Sequence, residues 1–556
     1  MSGETHGLKR RKKLIVCCDG EYNLFIVSQE YFCDSDNGEL VNNGTWLSPN
    51  WEVQDPSNVT RIGRAIPCED SHFRPQIVFY QAGVGSGPSM VEKLVGGGTG
   101  AGLSENVREA YCFLANNYAH GDLIYLTGFS RGAFTARSIA ALIGSVGLLG
   151  KHAMQHFYRV FEDFEHAGVE DCKVTLMNEI PDFHIKMPSA KDSALKRRDD
   201  YLDAYLAELK RHGLTREVEI QAIGVWDTVG ALGVPTTALL QRLGLPAFLT
   251  NPFTCQHPYR FADTCIGRHI KHAFQALALD ERRDSFSPAV WERPSKCSTT
   301  VLKQVWFPGV HSNVGGSYDD AGLADISLAW MMSELEKAGL EFDEEYLHAQ
   351  WLDNGKEYPA KAHSTHHHKH RHDGRTLSFP SKQNQDRPHH VNAEGKVRSL
   401  EELAGDSDYE PHWALTRLYN SATGITVLGG TRDRTPGAYH RTDYRTGKQT
   451  ETPLHDTCEF VHASVRVRMQ AKGKGYDGKG VYAAKALKAN GWKVEDDAGG
   501  CKWVRGEGQV LKEDELGRFE VALLKEDPEM AELVLGGAGA VRVDSVVNGE
   551  DDGDVD

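Results

Sequence analysis

The chain has 556 residues, of which 62 are Lys or Arg and 78 are Asp or Glu, so its formal net charge at pH 7 is −16. This acidic balance argues against general nucleic-acid binding and does not favour docking on anionic membranes. A content of 40% hydrophobic and 25% charged residues is that of an ordinary globular protein, and the length allows two to four domains or one large α/β domain with insertions.

The cysteines and the apolar stretches indicate the compartment. None of the 11 cysteines forms a C-x-x-C pair, so we expect a reducing environment with neither a disulfide framework nor a zinc site. No stretch near the N-terminus has the character of a secretory signal, and the longest apolar tract, residues 133–150, contains Arg137. We therefore expect a soluble, cytoplasmic protein without a transmembrane segment. The basic residues 1–11 and the acidic residues 550–556 are expected to be disordered ends.

The first predicted element is a buried strand. Residues 12–20 form a continuous apolar run that ends in the turn dipeptide Asp19-Gly20. Residues 21–44 then form a polar stretch with scattered aromatics and no periodicity, which we interpret as an anomalous insertion. The next strand is predicted at residues 76–81, and a helix follows at residues 106–117.

Two glycine-rich segments, residues 83–87 and 96–102, separate that strand from that helix. No Gly-Lys-Ser/Thr follows them, so they are not a P-loop, and they do not fit the dinucleotide-binding fingerprint. We interpret them as a mobile loop beside a site rather than as a nucleotide-binding loop. The alternation of strands and helices predicts a largely parallel sheet with right-handed crossovers.

Residues 122–137 carry the most informative pattern, which is a short apolar strand, the tight turn Gly128-Phe-Ser-Arg-Gly132 and a helix from about Ala133. In the nucleophile elbow of the α/β hydrolases, a strained turn of this kind lifts a serine hydroxyl clear of the sheet. Glycines flank the serine because the helix and strand backbones pass too closely there for a Cβ. The alternative is an ordinary strand-to-helix turn in which Ser130 caps the helix.

Two later segments bear on access to such a site. Residues 151–215 combine helical spacing of aromatics with many charges, which predicts a helical insertion that is either a lid or a peripheral helical layer. Residues 239–249 are rich in leucine and either line an acyl-binding groove or pack against the domain. They could also make a transient membrane contact, although the net charge does not favour it.

An acid and a histidine follow two further strands. Residues 219–230 predict a strand that ends near Asp227, and sites in parallel sheets assemble at the carboxyl ends of the strands. Residues 301–307 are the last clear strand, and His311 follows on a glycine-flanked loop. The order Ser130, Asp227, His311 along the chain is that of the α/β hydrolases and not that of chymotrypsin or subtilisin.

Other interpretations of these residues stay open. Asp227 could be an ordinary cap, His311 could be a solvated loop residue, and three further acids could compete with Asp227 as the partner of the histidine: Asp319, Asp320 and Asp325. The segment 269–283 has apolar spacing, and we interpret its histidines as structural. An amphipathic helix is predicted at residues 324–340.

The signal weakens beyond residue 345. Residues 346–410 form a polar stretch with a His-rich tract that could hold a metal ion, but a disordered loop is the favoured interpretation, and we predict no metal site. Residues 411–556 have short mixed elements, glycine-rich joints and the acidic tail, and we interpret them as a C-terminal accessory region. The catalytic domain is accordingly predicted at residues 12–345.

Four blocks carry a resemblance to a known family: KLIVCCDG at 13–20, GFSRGAFTAR at 128–137, VWDTVG at 225–230 and FPGVHSNVGG at 307–316. In this order they resemble the catalytic domain of the type VI secretion phospholipase effectors, which uncharacterised fungal proteins share. The resemblance implies an α/β-hydrolase fold, a triad of Ser130, Asp227 and His311, and phospholipid ester hydrolysis. It does not imply that the chain is secreted or is a toxin.

One departure from the family concerns the first loop. The family reads Asp-Gly-Thr-Trp without a break, whereas here residues 21–44 separate Gly20 from Thr45. Our hypothesis is that this stretch is a retained intron of the gene model, and the alternative is a genuine surface insertion. Uninterrupted reads across the stretch in mature transcripts would contradict the intron hypothesis. The loop bears on function because it is expected to supply a donor to the oxyanion.

Together these patterns predict an α/β protein with a mostly parallel, hydrolase-like sheet, helices on both faces, a helical insertion and a C-terminal accessory region. The predicted activity is that of a serine hydrolase of carboxylic esters, most of all lipid acyl esters, which needs no cofactor. Backbone N–H groups of Arg131, Gly20 and Thr45 are the expected oxyanion donors. The alternatives are a non-catalytic binding protein on the same fold and a thioesterase or peptidase with the same triad.

Overall fold

The computed structural model describes these residues: 11–20, 40–42, 51–53, 55–83, 99–168, 173–189, 193–229, 265–358, 398–407, 410–422, 430–442, 449–497, 500–506, 508–535 and 540–544. Several predictions fall mostly or wholly outside them and stay predictions: the N-terminal residues 1–11, the insertion 21–44, Thr45, the glycine-rich segment 83–87, residues 239–249, the His-rich tract and the acidic tail. The second glycine-rich segment, residues 96–102, was predicted as a loop, but from Thr99 onward it belongs to the helix Thr99–Asn117.

The described residues form sixteen strands: β1 (Lys13–Cys18), β2 (Leu40–Asn42), β3 (Trp51–Val53), β4 (Gln76–Gln81), β5 (Leu123–Phe129), β6 (Leu148–Leu149), β7 (Thr215–Arg216), β8 (Ile220–Trp226), β9 (Ile270–Ala278), β10 (Val301–Phe307), β11 (His440–Thr442), β12 (Gln449–Pro453), β13 (Glu459–Val461), β14 (Lys493–Asp497), β15 (Gly500–Arg505) and β16 (Gln509–Glu513). The same residues form thirteen α-helices: α1 (Asn58–Ala65), α2 (Thr99–Asn117), α3 (Ser130–Val146), α4 (Phe157–Glu165), α5 (Ala194–Arg211), α6 (His311–Gly315), α7 (Gly322–Lys337), α8 (Tyr346–Asn354), α9 (Leu400–Asp406), α10 (Ala463–Gln470), α11 (Lys485–Ala489), α12 (Arg518–Lys525) and α13 (Pro528–Leu535).

One sheet organises the molecule. Among the described residues it has ten strands in the order β14-β15-β16-β13-β10-β9-β8-β5-β1-β4. All neighbours from β4 to β16 are parallel, and β14, β15 and β16 pair antiparallel at one edge. The predicted α/β class with a mostly parallel sheet is confirmed. The carboxyl ends of the parallel strands therefore meet at a common edge, which is where such sheets place their sites.

Helices cover both faces of the sheet, and β1 shows why. All six of its residues are buried, as expected of a strand with two covered faces. Leu14 and Val16 belong to the apolar cluster that contains α2, α3, α4 and α5, whereas Ile15 and Cys17 belong to the cluster that contains α1 and α7. Successive side chains of a strand point to opposite faces, so the unbroken apolar run contributes to two cores.

The sequence located most of the central strands, with two corrections. The predicted strands at 76–81 and 301–307 coincide with β4 and β10. Residues 301–307 are not the last strand of the sheet, because β13, β14, β15 and β16 follow them in the chain and extend the same sheet. Within the segment 269–283 the structure has a central strand, β9, and there His269 donates a 2.8 Å hydrogen bond to the carbonyl of Ala140, a structural contact.

The C-terminal residues interpreted as an accessory region are continuous with this core. β13 pairs parallel with β10, with Val461 opposite Trp306. The cluster on the α7 side also contains buried residues of α10, α12 and α13. The strands and helices beyond residue 459 therefore complete the sheet and one of its two cores.

The predicted helical insertion, residues 151–215, lies on the face of the elbow helix α3. Phe157, Val160 and Tyr205 are buried in the cluster that also contains α3 residues. The buried carboxylate of Asp163 ties the insertion together, since it accepts from the hydroxyl of Tyr205 at 2.9 Å and from two backbone N–H groups. In this conformation the insertion packs as a helical layer against α3.

Candidate active site

The elbow at Ser130 is built as the glycine pattern predicts. β5 ends at Phe129 and α3 begins at Ser130, whose φ of 56° lies in the left-handed region that side chains rarely adopt. A Cβ on Gly132 would lie 2.1 Å from the carbonyl oxygen of Cys18, and a Cβ on Gly128 would lie 2.5 Å from that of Gly132. Strand, turn and helix backbones therefore touch here, and only glycine fits.

Replacement of Gly132 by Ala is expected to destabilise the protein by about 3 kcal/mol, the upper part of the range for overpacked sites. The clash is with the backbone carbonyls of Cys18 and Asp19, which cannot rotate away as a side chain could. Urea unfolding of purified protein measures the effect. The matched control is Gly355→Ala, where nothing lies within 4 Å of the added Cβ. Equal stability of the two variants would contradict the prediction.

Asp227 directly follows β8 and is fully buried. Its φ of 40° lies in the left-handed region, and its backbone N–H donates to the carbonyl of Ala276 on β9 at 2.7 Å. The backbone N–H of Ala278 donates to its Oδ1 at 3.0 Å. The carboxylate is thus fixed between the ends of β8 and β9.

His311 lies four residues after β10 and is 4% exposed. It was predicted on a glycine-flanked loop, but it is the first residue of the short helix α6. The turn that leads to it has Gly309 with a φ of 112°, and the backbone N–H of His311 donates to Glu281 Oε2 at 3.2 Å. Its ring packs against those of Phe129 and Phe286, with centroids 4.6 and 4.9 Å away. The imidazole is held by packing against both rings.

The three predicted residues come together in one chain of hydrogen bonds. His311 Nε2 lies 2.8 Å from Ser130 Oγ, and His311 Nδ1 lies 2.5 Å from Asp227 Oδ2. With the carboxylate accepting at Nδ1–H, the unprotonated Nε2 accepts from the serine hydroxyl. Such a chain, in which an acid orients a histidine that contacts a hydroxyl, can activate that hydroxyl as a nucleophile.

The protonation states fit this direction of the hydrogen bonds. Burial raises the pKa of the Asp227 carboxyl, but the charge of Arg434 and the hydrogen bond from His311 outweigh burial and hold that pKa below its usual range. Burial lowers the pKa of His311, and the contact with Asp227 opposes this effect without reversing it. Asp227 is therefore ionised and His311 neutral near pH 7, as a base must be.

Arg434 is the residue at this site that the sequence analysis missed. It is 4% exposed, and its guanidinium is bound to both carboxylate oxygens of Asp227, with Nη2 2.9 Å from Oδ2. It also donates to the backbone carbonyls of Ala278 and Phe286, at 2.6 and 2.8 Å. No signal in the single sequence marks it, because it lies among polar residues and glycines that are typical of a surface loop.

The acids that could have competed with Asp227 are engaged elsewhere. Asp325 is buried against Arg61. Asp320 accepts from the hydroxyl of Tyr358 at 2.5 Å and from the backbone of Arg417 at 2.7 Å, and Asp319 accepts from the hydroxyl of Tyr419. The pair with Arg61 joins α7 to α1, and the other contacts join the turn between α6 and α7 to Tyr358 and to the chain after residue 410.

Asp19 and Gly20 lie next to the serine. A Cβ on Gly20 would lie 2.7 Å from the Cβ of Ser130, so the first loop passes directly over the elbow. Asp19 Oδ2 accepts from the hydroxyls of Ser57, Thr60 and Tyr80, at 2.6, 2.8 and 2.8 Å, and Asp19 Oδ1 accepts from the N–H of Gly20 at 2.7 Å. Arg131, in the first turn of α3, directly follows the serine. Thr45 lies outside the described residues.

A second serine–histidine–acid arrangement lies in the C-terminal core. His462 bonds Ser464 Oγ at 2.6 Å through Nδ1 and Glu520 Oε1 at 2.8 Å through Nε2. Ser464 is fully buried, and the side chains of His462 and Glu520 are 1% and 0% exposed. Because no substrate can reach it, we assign this cluster to the packing of α10 against α12.

Among the described residues, one group of three potential metal ligands is present, formed by Asp70, His72 and Glu341. Asp70 is already paired with Lys13 and Arg74, at 2.9 and 2.6 Å, so this group is adequately explained as an ion-pair cluster.

No helix in the described part of the chain has the length and apolar character needed to cross a membrane.

Comparisons with known proteins show what the chain is similar to. An uncharacterised protein of Saccharomyces cerevisiae, YEL023C, is 26% identical over 254 residues, which are 43% of this chain and 30% of the yeast protein. The chain is thus matched to less than a third of that relative's length. A solved structure of an uncharacterised protein from Pseudomonas aeruginosa is 16% identical with a TM-score of 0.28, over 60% of this chain and 47% of that one.

The structure of the Tle1 effector bound to the VgrG spike of the type VI secretion system is 13% identical with a TM-score of 0.28, over 81% of this chain and 91% of that one. The family model described as T6SS, phospholipase effector Tle1-like, catalytic domain matches residues 12–334, which is more than half of the chain. The chain therefore belongs to the family of Tle1-like phospholipase effector catalytic domains.

Proposed function

We propose that this protein is a serine hydrolase of carboxylic esters, that its substrates are lipid acyl esters, and that it acts through an acyl-enzyme on Ser130. The hydrogen-bonded chain from Ser130 through His311 to Asp227 is the observation that carries the proposal. Membership of a family described by its phospholipase effectors supports a lipid as the substrate.

The first half of the proposed reaction forms the acyl-enzyme. Ser130 Oγ attacks the ester carbonyl carbon while its proton passes to His311 Nε2, and Asp227 stabilises the imidazolium that results. The tetrahedral intermediate then breaks its bond to the leaving alcohol, which takes the proton from His311. In the second half, water attacks the acyl carbon with His311 again as the base, and a carboxylic acid and the original hydroxyl are released.

The oxyanion of each intermediate needs N–H donors. Arg131 lies in the first turn of the 17-residue helix α3, where the helix dipole favours negative charge. Gly20 and Thr45 are the proposed second source. Gly20 can contribute if its N–H turns from the carboxylate of Asp19 to the oxyanion. The loss of one such donor costs about 10²–10³ in rate.

The proposal predicts covalent labelling of one serine. We expect a fluorophosphonate probe to modify the folded protein with a stoichiometry approaching one. Peptide mass spectrometry should locate the modification on Ser130, because His311 activates that hydroxyl. Ser464 is the internal control, since its hydroxyl also contacts a histidine but is fully buried. Protein unfolded in urea should lose the labelling.

Hydrolysis assays then rank the substrates. Turnover of a phospholipid with a labelled acyl chain, above that of short p-nitrophenyl esters, is the expected order. Preference for a thioester or a peptide would assign the same site to a thioesterase or peptidase. A folded protein that neither labels nor turns over any of these substrates would contradict the proposal and leave the non-catalytic binding protein.

A further inference from the structure

Arg434 stands out because it touches the proposed catalytic acid from outside the family's matched region. The family model ends at residue 334, a hundred residues before this arginine. Its guanidinium nevertheless contacts both oxygens of Asp227 and two backbone carbonyls at the carboxyl edge of the sheet. The planar fork of an arginine matches a carboxylate in this two-pronged geometry, which a lysine cannot reproduce.

The segment that carries Arg434 is fastened to the rest of the protein. Its backbone carbonyl accepts from Asn490 Nδ2 at 3.0 Å, and the N–H of the next residue, Thr435, donates to the hydroxyl of Tyr439 at 3.2 Å. Two residues earlier, the N–H of Arg432 donates to the carbonyl of Arg282 at 2.8 Å. The guanidinium is therefore delivered to Asp227 on an anchored backbone.

The charges around His311 indicate what Arg434 does at this site. In the pair of Asp227 and His311 alone, the buried carboxylate would strongly favour the protonated imidazole, which cannot act as a base. Arg434 offsets that charge. Among the described residues, other ionisable groups that face this cluster include Glu281 with its partner Arg283, the buried Asp280 and the phenol of Tyr439. Glu281 and Arg283 offset each other, so Arg434 is the cation that balances Asp227 among the described residues.

We propose that Arg434 is a positioning residue of this active site, which holds Asp227 in the orientation that His311 requires and offsets its charge so that His311 stays available as a base. This inference rests on the proposed function. It also assigns part of the C-terminal region to the catalytic centre. The buried Nε of Arg434 has no hydrogen-bond partner among the described residues. Burying this N–H without a partner costs free energy, which the pairing with Asp227 must outweigh.

The test is the pH profile of kcat/KM for Arg434→Met and Arg434→Lys beside the wild type. His311 must be neutral to accept the serine proton, so activity falls at pH values below its pKa. Loss of a nearby positive charge raises that pKa and moves this acid limb of the pH profile to higher pH. We expect the limb of Arg434→Met to move up by about one pH unit. We expect kcat at pH 7 to fall about 10–100-fold through misorientation, with KM unchanged because Arg434 is not expected to touch substrate.

Arg434→Lys separates charge from geometry. It keeps a cation near Asp227, so its acid limb should stay close to that of the wild type while its kcat falls. The matched control is Arg466→Met, which breaks another buried arginine–carboxylate pair of the C-terminal region, with Glu513, away from the triad. It should lower thermal stability without moving the pH profile.

The outcomes separate this inference from the proposed function. An active wild type with an unmoved acid limb and unchanged kcat in Arg434→Met contradicts the role of Arg434 alone. If Arg434→Met does not fold, full activity of Arg434→Lys contradicts the positioning role, and a lower kcat with unchanged KM supports it. A wild type that neither turns over esters nor labels at Ser130 contradicts the proposed function itself.

Discussion

Ser130→Ala is expected to lower kcat for ester hydrolysis by about 10⁶-fold, the loss found when the nucleophile of a serine hydrolase is removed. The variant loses the atom that forms the acyl-enzyme and the hydrogen bond to His311 Nε2, which is 2.8 Å long. Any residual rate would come from binding and oxyanion stabilisation of a water attack. Steady-state hydrolysis of the best ester in the substrate panel measures the change, and the variant should no longer react with fluorophosphonate.

Ser138→Ala is the matched control for that variant. Ser138 lies on the same helix, α3, is fully buried, and donates to the carbonyl of Phe134 at 2.9 Å rather than contacting His311. It should keep wild-type turnover and labelling. If Ser130→Ala retains substantial activity while it remains folded, the nucleophile has been assigned to the wrong residue. If Ser138→Ala is equally inactive, the losses reflect a damaged helix.

The parts of this site that the sequence predicted are those that local backbone geometry imposes. A Cβ on Gly128 or Gly132 would lie 2.5 Å or 2.1 Å from a backbone oxygen, so both positions require glycine. This requirement is visible in the sequence as a glycine on either side of Ser130. Asp227 and His311 follow apolar strands, and a parallel sheet brings the ends of its strands to one edge. Local pattern and general topology together suggested three residues that are 84 or more positions apart, and the structure brings them together.

Arg434 could not be predicted in the same way. Its pairing with Asp227 joins residues 207 positions apart, and nothing in the polar segment around it distinguishes a buried arginine from a solvated one. The charge of Asp227 explains the burial once the structure has brought the two together, because a buried carboxylate needs a partner. This pairing of opposite charges depends on the folded structure and leaves no pattern in the sequence.

The sequence predicted fewer strands of the central sheet than the structure contains, for two physical reasons. Ile270, Ala273, Phe274 and Leu277 in β9 have the i, i+3, i+4, i+7 spacing of a helix, so periodicity alone could not identify the strand. β13 has three residues, Glu459–Val461, too few for a strand pattern to stand out. Its identity depends on pairing with β10, a contact between residues 155 positions apart.

A chain that ends at residue 345, the predicted boundary of the catalytic domain, is expected not to fold. It would lose β13 and expose the edge of β10, where Trp306 is fully buried and donates to Glu459 at 2.9 Å. Trp330 on α7 would lose its 2.9 Å hydrogen bond to Asp514, and Lys303 would lose its ion pair with the same carboxylate at 2.8 Å. Buried groups left without partners and an unpaired strand edge both favour aggregation.

A chain that ends at Asp544 is the matched control, because it keeps every residue that the structure describes. The measurements are soluble yield, near-ultraviolet circular dichroism and the cooperativity of thermal unfolding. The control should match the full chain, whereas the shorter chain should be insoluble or lack a cooperative transition. A soluble and active protein of residues 1–345 would contradict both this prediction and the role of Arg434. Failure of the shorter chain follows from the sheet, because β10, the strand that precedes His311, pairs with β13 from the C-terminal part of the chain.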